Sequence, residues 1–140
     1  MRALGIDLGK VRVGLALSDE LGLMAHPRPF LDGRSPRGVL DALERLAREE
    51  GVSVFILGLP RTLGGDEGPP ARRARKFAAE LGKRTGLPVE LVPEWLSTRE
   101  ARARLHEQGR DEREIRSRID SASAAVLLQS WLDARRRPDE

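Results

Sequence analysis

Two short strands joined by a glycine turn open this chain, and they dictate the core around which everything else must pack. Leu4, Ile6 and Leu8 alternate with Ala3, Gly5 and Asp7; after Gly9-Lys10, Val11, Val13, Leu15 and Leu17 alternate with Arg12, Gly14, Ala16 and Ser18. A period of two marks strands, and the glycine marks the turn between them. Each strand therefore has one bulky apolar face and one face of small residues. Asp7 lies on the small face at the end of the first strand. A lone carboxylate is costly to bury unless its charge is compensated, so Asp7 is a candidate metal ligand.

Downstream, Leu23 to Phe30 reads as an edge strand, because Pro27 and Pro29 cannot donate to a central ladder. Ser35-Pro36 has the form of an N-cap and first turn, and Val39, Leu40, Leu43, Leu46 and Ala47 give the helix a buried stripe that Gly51 closes. The continuous apolar run Val52 to Leu57 reads as a central parallel strand. A Gly- and Pro-rich loop of 13 residues is expected from Gly58 to Pro70, long enough to favour a substrate-closing role for Arg61 over an ordinary connection. Ala74, Phe77, Ala78 and Leu81 stripe the next helix, and Val89 to Val92 forms another strand. Ser97-Thr98-Arg99-Glu100 is a capping box for a helix to about Glu107. Gly109 to Arg118 is expected to be loose, and Ile119 to Leu132 to form the last helix. The order β-β-β-α-β-α-β-α-α describes one α/β domain over residues 1–140, a mixed five-stranded sheet with an antiparallel N-terminal hairpin and flanking helices.

The last helix opens with Asp120-Ser121-Ala122-Ser123-Ala124-Ala125, almost all small side chains. It is expected to lie against Gly5, Gly14 and Ala16 and to bring Asp120 near Asp7. Alone, Asp120 reads first as an acid complementing a helix N-terminus. Glu94 follows the strand Val89 to Val92, at the carboxyl edge where ligands gather in parallel sheets. Asp7, Glu94 and Asp120 together offer the oxygen donors that hard cations prefer, enough for two metals roughly 4 Å apart. His26 and His106 are isolated in sequence and read as surface residues.

Composition narrows the partners. Of 25 basic residues 22 are Arg, and they cluster at 72–76, 99–104, 110–118 and 135–137. Such clusters either bind phosphate backbones or form solvated helix faces among interspersed Glu. Lys10 and Arg12 flank the hairpin turn, and Arg72, Arg73 and Arg75 form the densest run; with Arg61 they are the candidate nucleic-acid contacts. There is no cysteine, no stretch of about 18 apolar residues and no apolar leader before the first strand, so a cytoplasmic, membrane-free protein is expected.

Four blocks resemble the YqgF (RuvX) family of bacterial proteins. They are Gly5 to Gly14 with Ala16 and Ser18-Asp19; Ile56 to Pro60 followed by Gly64 to Pro69; Glu94 to Ala101; and Ile119 to Leu132. The family is described as candidate Holliday junction resolvases and candidate nucleases for the 5′ end of pre-16S rRNA. The resemblance implies an RNase H-like fold, an acidic triad of Asp7, Glu94 and Asp120 holding Mg²⁺ or Mn²⁺, and hydrolysis that leaves 3′-hydroxyl and 5′-phosphate ends. One block departs from the pattern: Pro93 and Trp95 flank Glu94 where the family usually has an acid and a base. Trp95 is either a packing residue or a face on which a base stacks.

The expected activity is therefore endonucleolytic cleavage of structured nucleic acid, foremost an rRNA precursor in association with ribosomal particles. A four-way DNA junction is the alternative substrate and would call for a homodimer with two sites. Two other classes compete. The hairpin also resembles the phosphate-binding hairpin of actin-like and sugar-kinase ATPases, and an RNA-binding assembly factor would need no turnover.

Overall fold

The structure is a computed structural model that describes residues 1–61, 66–94 and 112–135, with only the backbone path for 112–120. The hairpin forms as the alternation requires: β1 (Arg2–Leu8) pairs antiparallel with β2 (Arg12–Ser18), with Gly5 opposite Ala16 and Asp7 opposite Gly14. The strand β3 (Ala25–Asp32) adds antiparallel to β2. The other side of β1 pairs in parallel with β4 (Val52–Pro60), which pairs in parallel with β5 (Val89–Glu94). The sheet order is β3-β2-β1-β4-β5, so the proline-bearing β3 is an edge strand and the apolar β4 is interior.

Between β3 and β4 runs α1 (Pro36–Glu50), started by the Ser35 side chain, which accepts from the Gly38 N–H, and closed at Gly51. Between β4 and β5 runs α2 (Pro69–Thr85). Both bury their stripes on one face of the sheet, where Val39, Leu43, Phe77 and Leu81 meet Leu4, Ile6, Leu15, Phe55 and Leu57. Leu46 is only partly buried in that core. The opposite face carries Ala3, Ala16, Val54 and Ile56, and there α3 (Glu112–Arg135) packs through Ala124, Leu127, Leu128 and Leu132. A Cβ on Gly5 would stand 2.9 Å from the Leu128 Cβ and 3.1 Å from the Ala124 carbonyl oxygen. The small face of β1 is thus what lets this helix come close.

Polar clasps hold α3 over the exposed edge. The Gln129 side chain accepts from the Ala25 N–H at 2.8 Å and donates to the Leu23 carbonyl at 3.0 Å; the Ser121 hydroxyl donates to the Arg28 carbonyl at 2.6 Å. Covering β3 in this way occupies backbone groups that would otherwise template another strand.

Two expectations need correction. Residues 112–118 are helical rather than loose, because the helix that carries Ile119 to Leu132 starts seven residues earlier, at Glu112. The run Glu112-Arg113-Glu114-Ile115-Arg116 is rich in good helix formers, and its polarity hid a helix without an apolar stripe. The connection after β4 is also shorter than expected. Gly58 to Pro60 complete the strand and Pro69 begins α2, which leaves residues 61–68. The expected helix from Ser97 to Glu107 lies outside the described residues, as do Trp95 and His106.

Candidate functional site

The parallel register Gly5↔Ile56 and Ile6↔Leu57, carried one step further, sets Asp7 beside Gly58. Both lie on the α3 face, at the edge where β1, β4 and β5 all end. Asp7 is 9% exposed, a carboxylate sunk among small neighbours with Gly14 across the hairpin. Glu94 closes β5 opposite Pro60, two residues beyond the pair Gly58↔Val92. Its side chain folds back over Gly58: a Cβ built on that glycine would stand 2.8 Å from Glu94 Oε2 and 3.1 Å from its carboxyl carbon. The Glu94 carboxylate thus lies over β4, the strand between β5 and the β1 end that carries Asp7, with neighbouring strands about 4.8 Å from each other.

Gly58 is the functional position that sequence reasoning passed over. It was expected to begin the loop after the central strand. It sits instead inside a strand and clears the volume that the Glu94 carboxylate fills. The usable signal was a glycine interrupting an apolar run, which marks close approach of another group.

The third acid, Asp120, lies in the α3 backbone one turn before Ala124, the residue whose carbonyl oxygen faces Gly5. Positions four apart share a helix face, and going back one turn moves toward the carboxyl edge of β1. Its side chain lies outside the described residues. Among the described side chains, no three of His, Cys, Asp and Glu come together.

The candidate basic residues separate into different settings. The Arg12 guanidinium lies over the Phe30 ring, 5.0 Å from its centroid. Arg61 is half-buried and 4.0 Å from Glu67. Arg75 makes a two-pronged bond to Glu67, at 2.7 Å from Nε and 2.6 Å from Nη2, which holds the Glu67 carboxyl below the usual carboxylate range. Arg72 is exposed on α2. Lys10 and Arg73 line a cavity on the opposite face of the sheet from Asp7. The run Arg72-Arg73-Arg75 is therefore not one patch: Arg73 turns toward the cavity and Arg75 toward Glu67. His26 is an exposed β3 residue. Among the described residues, no helix is long and apolar enough to cross a membrane.

A mixed five-stranded sheet with an antiparallel start, helices on both faces and acids at its carboxyl edge is the RNase H-like architecture of the junction resolvases. The Holliday junction resolvase of fowlpox virus superposes with a TM-score of 0.62 at 14% identity, over 96% of this chain and 99% of its own. RuvC of T. thermophilus, solved in complex with a Holliday junction substrate, gives a TM-score of 0.56 at 18% identity, over 96% of each chain. At such identities the likeness is one of fold. Sequence goes further, and the chain belongs to the RuvX family, whose model, described as Holliday junction resolvase, matches residues 1–134. A protein of Anaeromyxobacter sp. (strain Fw109-5) that bears the name "Putative pre-16S rRNA nuclease" is 48% identical over 135 residues, 96% of this chain and 98% of that protein.

Proposed function

We propose that this chain is a divalent-metal-dependent endonuclease of structured RNA that trims the 5′ end of pre-16S rRNA, with one nuclease domain spanning the whole chain. The observation that carries the reading is a buried Asp7 at the carboxyl edge of β1 and a Glu94 carboxylate folded over Gly58 on the neighbouring strand. The near-full-length similarity to a relative named for pre-16S rRNA supports the substrate.

The residues present suit a hard cation. The donors are carboxylate oxygens, and they come from the carboxyl ends of two strands of one sheet. Asp7, Glu94 and Asp120 would hold Mg²⁺ or Mn²⁺, which when bound supplies Lewis-acid chemistry at the scissile phosphodiester. The chain's own contribution is placement. The β1–β2 ladder would hold Asp7, the space over Gly58 would hold Glu94, and α3 would bring Asp120 toward the same edge. Lys10, Arg72 and Arg73 are exposed and could hold flanking phosphates, Arg12 would do so from its place over Phe30, and Arg61 and Arg75 would have to exchange Glu67 for phosphate. Such work belongs where ribosomal particles assemble, in the bacterial cytoplasm.

The test is cleavage of a pre-16S rRNA fragment and of a synthetic four-way DNA junction, with Mg²⁺, Mn²⁺ or EDTA, by wild type and Asp7→Asn. We expect cleavage of the RNA that requires metal and falls by about 1000-fold in the variant, equivalent to several kcal/mol of barrier, with an unchanged melting temperature. Faster cleavage of the junction, by a dimer, would transfer the activity to branched DNA. Full activity of Asp7→Asn would remove the acids from the chemistry.

A further inference from the structure

Behind the acids, on the α1/α2 face, the carboxyl edge of the sheet opens into a cavity of about 520 Å³. That lies within the roughly 300–1,000 Å³ of small-molecule pockets. Its floor is apolar: Leu8, Val13, Val39 and Phe77. Its rim is cationic: Lys10 from the hairpin turn, Arg34 before α1, and Arg73 and Lys76 from α2, against a single acid, Glu80. Arg34 is committed to Asp32, with Nε at 2.9 Å and Nη2 at 2.6 Å from its oxygens, and this pulls the Asp32 carboxyl down to about 2. Lys10, Arg73 and Lys76 have no ion-pair partner among the described residues. This sets them apart from Arg75 and Arg84 on the same helix, which are paired with Glu67 and Asp41.

Three cations with no ion-pair partner among the described residues, around an apolar floor, fit a ligand that is anionic at one end and flat and apolar at the other. Bare phosphate would leave the floor empty, and a purely apolar ligand would leave the cations unused. We propose that this cavity binds a single nucleotide: its base lies on the Leu8, Val13 and Phe77 floor, its phosphate meets Lys10, Arg73 and Lys76, and Glu80 accepts from a ribose hydroxyl. A carboxylate acceptor at the ribose gives a preference for ribo- over deoxyribonucleotides, since the 2′-hydroxyl is what distinguishes them. The pocket is independent of whether the acids cut. It backs onto them because Asp7 and Leu8 are consecutive in β1 and their side chains leave the sheet on opposite faces.

The ligand comes either as a free nucleotide or as an unpaired nucleotide of an RNA strand. Calorimetric titration of the whole chain in EDTA with AMP, dAMP and inorganic phosphate tests the site without any cleavage readout. We expect saturable AMP binding, tighter than phosphate by at least tenfold. Arg73→Glu/Lys76→Glu should weaken it at least tenfold, Lys10→Glu should weaken it severalfold, and Lys83→Glu, elsewhere on α2, should leave it unchanged. Glu80→Gln should erase the preference for AMP over dAMP. Displacement of AMP by a short single-stranded RNA assigns the pocket to a strand, and its absence assigns it to a free nucleotide. Equal affinity for phosphate and AMP, no saturable binding of AMP, or wild-type affinity in folded Arg73→Glu/Lys76→Glu and Lys10→Glu proteins would overturn the proposal.

Discussion

On the α1/α2 face the sheet presents Leu4, Ile6, Val13, Leu15, Phe55 and Leu57; on the α3 face β1 and β2 present only Ala3, Gly5, Asp7 and Ala16, beside Val54 and Ile56 of β4, with Gly58 at the edge. The first face holds its helices off with bulk and gains most of the buried apolar area. The second lets a helix backbone approach until a single methyl on Gly5 would collide with it. Close approach suits a site whose members come from a strand and a helix, because carboxylates on short side chains share a ligand only when their backbones are near. The two faces thus divide the work: one supplies most of the core, and the other, on the proposed function, sets the spacing of the acids.

The comparison predicts opposite responses to substitution. The largest effect on stability belongs to the bulky face. Phe55 is fully buried and sits between β1 and β5 in the ladder, opposite Leu4 and Val89. Phe55→Ala should cost about 3–5 kcal/mol, the usual range for emptying a core aromatic site. A chain of this size should then melt lower by about 10 °C or more. A loss below about 1 kcal/mol by chemical denaturation would show that the α1/α2 core is not what holds the sheet together.

On the small face a middling effect is expected from overfilling. Ala124 is fully buried against β1, whereas Ala125 is only partly buried. Ala124→Leu should cost about 1–3 kcal/mol. It should also push α3 outward, so metal affinity, read by calorimetry with Mn²⁺, should fall along with cleavage. Ala125→Leu should do less of both. Equal behaviour of the two variants would break the claim that this face is a spacing device.

How far the sequence could be read follows the same division. Strand alternation, the Ser35-Pro36 start and the small residues of α3 announce themselves locally, so the hairpin, α1 and the docking of α3 on Gly5 were all legible. The proline pattern placed β3 at the edge for a reason that holds without any partner. What escaped depends on distant groups. The start of α3 at Glu112 lies in charged residues with no apolar stripe. The separation of Arg73 from Arg75 needs Glu67, six residues before Arg73, to come back and engage one of them. The cavity behind the acids needs two helices and a turn in place before its cations face one volume.

Gly58 gives the sharpest test, because its predicted effect on stability is the smallest and its predicted effect on function is not. The Cβ of Gly58→Ala would meet the far end of the Glu94 side chain, at Oε2 and the carboxyl carbon, and Leu127 Cδ2 at 3.3 Å. A flexible carboxylate yields easily. Alanine is also favoured over glycine in a strand interior by about 0.5–1 kcal/mol, which offsets the crowding, so the melting temperature should barely move. The displaced carboxylate would leave its place over Gly58. A misplacement of about 1 Å in such a site costs on the order of 100-fold in rate, and that is the fall expected in cleavage of pre-16S rRNA. AMP binding on the opposite face should be unaffected, since that cavity is lined from β4 only by Pro60. Wild-type cleavage by a folded Gly58→Ala protein would mean that Glu94 works from another position, and the α3 face would lose its claim to set the spacing of the acids.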